Sequence, residues 1–344
     1  MRLLFGSILG VLVLALGACS PAPPQAEGTG GRLEIVKNRG KLICGVNGEV
    51  PGFSFVSENG DYAGMDADFC RAVAAAIFKD GAKVEFRQLS AQERFSAVQT
   101  GEVDVLSRNT TWTVSRDSAV KLDMGPVYFY DGQGLMVKKS SGVQSLAQLA
   151  NKSICVLAGT TSEQNLADQM AKAGVKTYNP VVADGSDTLY AAYQQGRCEA
   201  VTSDRSQLVA RRSILPDPQN HVVLDLLLSK EPLAPAVREG DSAWFNVVQW
   251  VAFALIEAEE LGITSQNIEQ FKTSADPNVR RFLGLEETLG TDLGLPNDYV
   301  QAVIEQVGNY GEIYERHVGK PFQLPRGLNA LWSQGGLHYS PPFR

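Results

Sequence analysis

Residues 97–107 and 192–202 carry one pattern twice: the end of a helix, a glycine, and a short apolar strand. Ala97-Val98 running to Gly101-Glu-Val-Asp-Val-Leu-Ser107 is matched by Ala192-Tyr193 running to Gly196-Arg-Cys-Glu-Ala-Val-Thr202. Earlier in each unit, Lys41-Leu-Ile-Cys44 is echoed by Lys152-Ser-Ile-Cys155. One such echo is within chance for any two α/β units, but two in the same order predict a pair of similar lobes, each alternating strands and helices. Extending the first echo sets Asn109 and Asp204 at matching positions, just past the C-terminal ends of their strands, where open α/β sheets bind ligands.

Periodicity supplies the elements between these landmarks. The spacing of Phe69, Val73 and Ile77 predicts a helix from about Asp66 to Phe78, with Asp66 and Asp68 where the helix dipole favours anions and Gly81 at its end. Lys83 to Phe86 alternates as a strand, Ala91 to Thr100 reads as a helix, and Val103 to Ser107 as the next strand. Asn59-Gly-Asp61 is a hairpin-type turn signal. Asp131 to Lys138 has the pattern of a strand crossing between lobes, and Leu228 to Leu233 that of the return. An amphipathic helix from Trp244 to Leu261 follows. The remainder, punctuated by Pro277, Pro296 and Pro321, is expected to form helices and loops packed on the first lobe. A chain of 344 residues fits two such lobes, at roughly 100–200 residues per domain.

At the N-terminus, Arg2, an apolar run from Leu3 to Leu16 and Gly17-Ala18 have the form of an export signal, too short and too glycine-interrupted for a membrane span. Leu16-Gly17-Ala18-Cys19 also resembles the bacterial lipobox, which implies removal of residues 1–18 and lipid attachment at Cys19; ordinary signal-peptidase cleavage is the alternative. Residues 19–31, rich in Pro, Gly, Ala and Ser, then form a flexible tether. Export leads to an oxidising compartment, so the remaining Cys44, Cys70, Cys155 and Cys198 are expected to pair. Three pairings are open. Cys44 with Cys70 and Cys155 with Cys198 keeps each bridge inside one lobe; four buried thiols are the alternative.

The formal charge of −7, from 31 Lys and Arg against 38 Asp and Glu without a basic run, argues against nucleic acid or anionic lipid as the main partner. His221, His317 and His338 are scattered without ligand spacing, and HExxH, GxSxG, CxxC, P-loop and GxGxxG patterns are absent. The reading is therefore of a binding protein with no cofactor, no metal and no catalytic apparatus. Three stretches carry candidate chemistry. Ser107 to Arg116 is polar, directly follows an apolar strand and ends on a guanidinium able to hold a carboxylate through two parallel bonds; a solvated loop is the alternative. Ala158-Gly-Thr-Thr-Ser-Glu163 sets free amides of a helix start beside Thr160, Thr161 and Ser162, with Thr160 and Glu163 spaced as a capping box. Asp204 closes a strand where a buried carboxylate needs a cation, such as a ligand ammonium, or else caps the next helix.

Cys44-Gly-Val-Asn47, Pro51-Gly-Phe-Ser-Phe55, Gly64-Met-Asp-Ala-Asp-Phe-Cys-Arg-Ala-Val73, Thr111-Trp-Thr-Val-Ser-Arg116, Gly159-Thr-Thr161 and Gly308-Asn-Tyr-Gly-Glu312 together resemble the periplasmic polar amino-acid-binding proteins of ABC transporters. Arg326-Gly-Leu-Asn-Ala-Leu-Trp332 and Gln334-Gly-Gly336 resemble the C-terminal region of their general L-amino-acid-binding branch. The resemblance implies a two-lobed α/β fold of the type II periplasmic binding class, the lobes joined by a two-stranded hinge: residues 32–136 and 232–344 for lobe 1, the latter with a helical extension, and 137–231 for lobe 2. It implies a free L-amino acid as ligand, a membrane permease as partner, an envelope location and a monomer. The family's carboxylate-binding Arg falls on Arg116 and its ammonium-binding Asp on Asp204. The surrounding positions fall on Asn109, Thr111 and Thr161, with Ser162 beside them. The side-chain pocket departs from dedicated members, leaving Glu49 and Phe53 as candidate walls of a tolerant site. An exported lyase on this fold, or a signalling module, is the rival function.

Overall fold

The computed structural model describes residues 31–344, so the export signal, Cys19 and all but the last residue of the tether lie outside the described residues. A short helix α1 (Arg32–Arg39) ends at Gly40, and the apolar run after it forms β1 (Leu42–Val46), buried along most of its length as a central parallel strand must be. A small antiparallel ribbon of β2 (Glu49–Val50), β3 (Ser54–Val56) and β4 (Tyr62–Ala63) leads into α2 (Met65–Phe78). Then come β5 (Val84–Gln88), α3 (Arg94–Gln99), β6 (Val105–Leu106) and β7 (Leu122–Met124).

The chain leaves this lobe along β8 (Phe129–Asp131) and enters the second through β9 (Gln133–Lys138), β10 (Ser153–Leu157), α4 (Thr161–Lys172), β11 (Asn179–Ala183), α5 (Ser186–Gln194), β12 (Ala200–Asp204), α6 (Arg205–Ser213) and β13 (His221–Val223). It returns along β14 (Glu231–Leu233) to β15 (Ala236–Arg238) and the long α7 (Ser242–Glu260).

The two five-stranded sheets have orders β5-β1-β6-β15-β7 and β11-β10-β12-β9-β13. In each, the first three strands are parallel, and the fourth, which comes from the far side of the crossing, is antiparallel to its neighbours. The echo in the sequence is thus a structural equivalence of β1 with β10 and of β6 with β12. Between the sheets, β8 and β14 pair as a two-stranded hinge, Asp131 opposite Glu231 and Phe129 opposite Leu233. The predicted single crossing strand is two strands, because at Gly132 the backbone changes partner from β14 to β12. A side chain at Gly132 would collide with the Ser229 carbonyl at 2.8 Å, so glycine is required at the switch.

One disulfide ties β1 to α2 through Cys44 and Cys70, and the other ties β10 to the turn before β12 through Cys155 and Cys198. Each closes one lobe, at about 3 to 4 kcal/mol by chain-entropy arithmetic. The largest core joins α2, with Ala72, Ala74, Ala75 and Ala76 all buried, to α7 and to the helices Tyr299–Val307 and Tyr310–Tyr314. A helix enclosed on every side needs this run of small apolar residues. Asp68 on α2 fixes the C-terminal region, accepting from Arg316 and meeting His317, both at 2.6 Å.

Candidate functional site

The C-terminal ends of β6, β10 and β12 face one another across the hinge, and the loops leaving them line a small, partly enclosed cavity. The first lobe contributes Asn47, Arg94, Arg108, Asn109, Thr111 and Arg116, and the second contributes Thr160, Thr161, Ser162, Thr202, Asp204 and Gln207, among others. Of the residues singled out from sequence, Arg116, Asp204, Asn109, Thr111, Thr160, Thr161 and Ser162 all line this cavity.

Arg116 is buried in a π-helical turn (Ser115–Ala119), with Nη1 donating to the Thr111 carbonyl at 2.7 Å and the guanidinium over the Phe95 ring at 5.2 Å. Burial lowers its pKa. Asp204 makes no capping bond to α6, so the capping alternative is not what occupies its carboxylate; Gln207 donates to Oδ2 at 2.6 Å. Burial, with Asp131 and Glu231 close by, holds Asp204 well above the usual carboxylate range. Asn109 adopts a left-handed backbone, φ 42°, open to asparagine at modest cost, and its side-chain oxygen and nitrogen are buried with no partner among the described residues. Thr160 is the N-cap of α4, accepting from the Glu163 amide, while Glu163 reaches back to Gly159 rather than to Thr160. The opening amides of α4 have no partner within the helix and add a positive end to the cavity.

Two candidate walls sit elsewhere. Phe53 is packed in the first lobe's core, edge-on to Phe129 at 5.0 Å, because the ribbon β2 to β4 turns its ring inward. Glu49 is not among the lining residues and reaches the second lobe, where it accepts from the Ser186 and Asp187 amides at 2.8 and 3.2 Å, its charge still acting on Arg108.

Arg94 is the cavity residue least legible beforehand. It shares a face of α3 with Ala97 and Val98, is 2% exposed, and leaves Nε with no partner among the described residues. Burial, then Arg108 and Arg116 nearby, push its pKa well down. Burial also takes Arg108 down, to about 10. An arginine inside an apolar i, i+3, i+4 set was the available signal. Glu231 on β14 lies within the stretch Leu228 to Leu233 read as the return between lobes, but nothing in that pattern marks its side chain as part of the site. Its Oε2 accepts from Thr111 at 2.5 Å and Thr161 at 2.8 Å. Chemically, the cavity offers a guanidinium on one lobe and a carboxylate on the other, flanked by two more guanidiniums, with no nucleophile and base pair and, among the described residues, no cluster able to hold a metal.

Comparison with known proteins follows the same lines. The family model for bacterial extracellular solute-binding proteins, family 3, matches residues 42–267. Over 345 residues, 99% of both chains, the sequence is 48% identical to the general L-amino acid-binding periplasmic protein of Rhizobium johnstonii. It is 46% identical over 344 residues, 99% of this chain and 98% of the other, to the glutamate/glutamine/aspartate/asparagine-binding protein of Rhodobacter capsulatus. A solved periplasmic binding protein from Brucella ovis with glutathione bound superposes with a TM-score of 0.89 at 48% identity, over 92% of this chain and all of that one.

Proposed function

The chain belongs to the bacterial extracellular solute-binding proteins of family 3, and on that premise we propose that it grips a free L-amino acid by its backbone charges, Arg116 taking the α-carboxylate and Asp204 the α-ammonium. It is the extracytoplasmic solute-binding component of an amino-acid ABC importer. It carries its ligand to a membrane permease and does not alter it. The observation that carries the reading is the convergence of buried Arg116 and buried Asp204 on one cavity from opposite lobes. A zwitterion neutralises both at once and so binds the closed arrangement better than the open one, which is what closure requires. Asn109 and the amides at Thr111, Thr161 and Ser162 complete the carboxylate's surroundings.

Three guanidiniums against one carboxylate without a full set of donors favour a ligand whose side chain ends in a carboxylate or carboxamide, with Arg94 and Arg108 facing that end. The name of the Rhodobacter relative points the same way. The protein acts as a monomer, and Cys19 anchors it by lipid to the envelope.

Calorimetric titration of the ligand-stripped mature protein tests this, using L-glutamate, L-glutamine, L-alanine, D-glutamate, glutarate and glutathione. Micromolar binding, about −8 kcal/mol, is expected for the L-amino acids, strongest for glutamate and glutamine, with glutarate and D-glutamate excluded. Arg116→Ala leaves a carboxylate desolvated and unpaired and costs roughly 3 to 5 kcal/mol. Binding of glutarate as tightly as glutamate, or an Arg116→Ala affinity close to wild type, overturns the assignment.

A further inference from the structure

The lobes meet a second time outside the cavity. Glu49 on β2 of the first lobe projects to the start of α5 in the second, where Oε2 accepts from the Ser186 amide at 2.8 Å and the Asp187 amide at 3.2 Å. In return, Arg211 on α6 of the second lobe donates Nη2 to the Glu49 backbone carbonyl. The same Nη2 pairs with Asp187 at 2.6 Å, and the guanidinium lies over the Tyr190 ring at 5.0 Å, so it is held in position by its own lobe. The carboxylate satisfies opening amides of α5 that no helical carbonyl can reach, at the end of the helix dipole that favours an anion. Arg211 is 6% exposed, and opening the lobes takes away its contact with the Glu49 carbonyl.

None of Glu49, Ser186, Asp187 or Arg211 lines the cavity. We propose that Glu49 and Arg211 form a ligand-independent clasp that stabilises the closed lobes, so that this pair sets how tightly every ligand is held and leaves the choice among ligands to the cavity. The proposal rests on the amino-acid-binding reading above. Its logic is that apparent affinity is intrinsic affinity scaled by the fraction of protein in the competent closed state. A contact made only in that state, and never with the ligand, multiplies every dissociation constant by one common factor.

The experiment is titration of the mature protein and of two variants with L-glutamate, L-glutamine and L-alanine. Glu49→Gln removes the anion while keeping the size of the side chain. Ser186→Pro removes one amide donor at the first position of a helix, where proline is favoured, after a Gly185 already extended at φ −131° and ψ 156°. Each variant is expected to raise all three dissociation constants by about tenfold and by the same factor, mainly through faster release, while ligand-free melting stays within a few degrees of wild type. An affinity within about twofold of wild type in both variants overturns the clasp, and so does a change in the glutamate-to-alanine preference beyond about fivefold, which makes Glu49 a ligand contact. A wild type that binds none of the three sinks the functional reading alone. The clasp is then judged by small-angle scattering of the ligand-free proteins: a larger radius of gyration in the variants supports it, and an unchanged one overturns it.

Discussion

Thr111 of the first lobe and Thr161 of the second donate their hydroxyls to the same oxygen of Glu231, at 2.5 and 2.8 Å. The other oxygen accepts from Asn165 at 2.9 Å and from Ser229. One carboxylate on a hinge strand, 1% exposed, thus joins four donors from both lobes and the hinge itself. With their hydroxyls engaged there, Thr111 and Thr161 have only their backbone amides to offer in the proposed binding mode. Glu231→Gln replaces one of the two acceptors with a donor that faces donors. Calorimetry is expected to show affinity weakened by about 1 to 3 kcal/mol for all amino acids alike. Wild-type affinity in this variant would make the network passive.

Arg94 gives a prediction of two opposite signs. In the ligand-free protein its charge is buried beside Arg108 and Arg116, so Arg94→Gln removes repulsion and is expected to raise the melting temperature. In the proposed binding mode the same change removes a charge-assisted bond to the ligand's side-chain end, so it is expected to cost L-glutamate about 1.5 to 3 kcal/mol and L-alanine far less. Equal losses for both amino acids would place Arg94 away from the side chain.

The fold was legible because its signals are local and repeated. Glycine stops after α3 and α5, apolar runs at β1 and β10 and the cysteine at the end of each echo all lie within short windows of sequence. The site was half legible, for a physical reason. Asn109 and Thr160 sit just beyond strands whose ends the sequence marks, Asp204 closes one, and Arg116 ends the polar stretch that leaves β6; the topology delivers such positions to a cleft. Arg94, Gln207 and Glu231 reach the cavity or its border from a helix face or a hinge strand, and only the packing of one lobe on the other decides where they point. Phe53 shows the converse: an aromatic near the first strand was a fair candidate wall, yet a short ribbon turned it into the core, where burying its ring stabilises more than lining a polar cleft does.

The proposed role of Asp204 as the ammonium's partner would make binding a proton-linked event. Burial and the neighbouring Asp131 and Glu231 hold its carboxyl well above the usual range without ligand, which disfavours the charged form. An incoming ammonium favours the charged form, and the proton must leave as the ligand enters. Heats of binding near neutral pH are therefore expected to differ between phosphate and Tris by the buffers' ionisation heats, and affinity is expected to fall as the pH is lowered. Asp204→Asn should abolish the buffer dependence and weaken glutamate more than its deaminated analogue. Buffer-independent heats in the wild type would show that Asp204 is already ionised in the free protein.

Asp68 sets the acid limb of stability through the contact between α2 and the C-terminal region. Burial works to raise its pKa, but the hydrogen bond and charge of His317 and the charge of Arg316 outweigh it and hold the group at about 2, below its ordinary 3.8. A carboxyl depressed on folding contributes stability that is fully present above its unfolded value and is lost as the pH falls through its folded value. The window therefore runs from about pH 4 down to about pH 2, and the contribution at neutral pH is about 2 kcal/mol. Urea unfolding of Asp68→Asn at pH 7 should show a loss of that size, while between pH 4 and pH 2 its stability should fall less steeply than wild type. Parallel curves for the two proteins across that window would mean that Asp68 is not the group responsible.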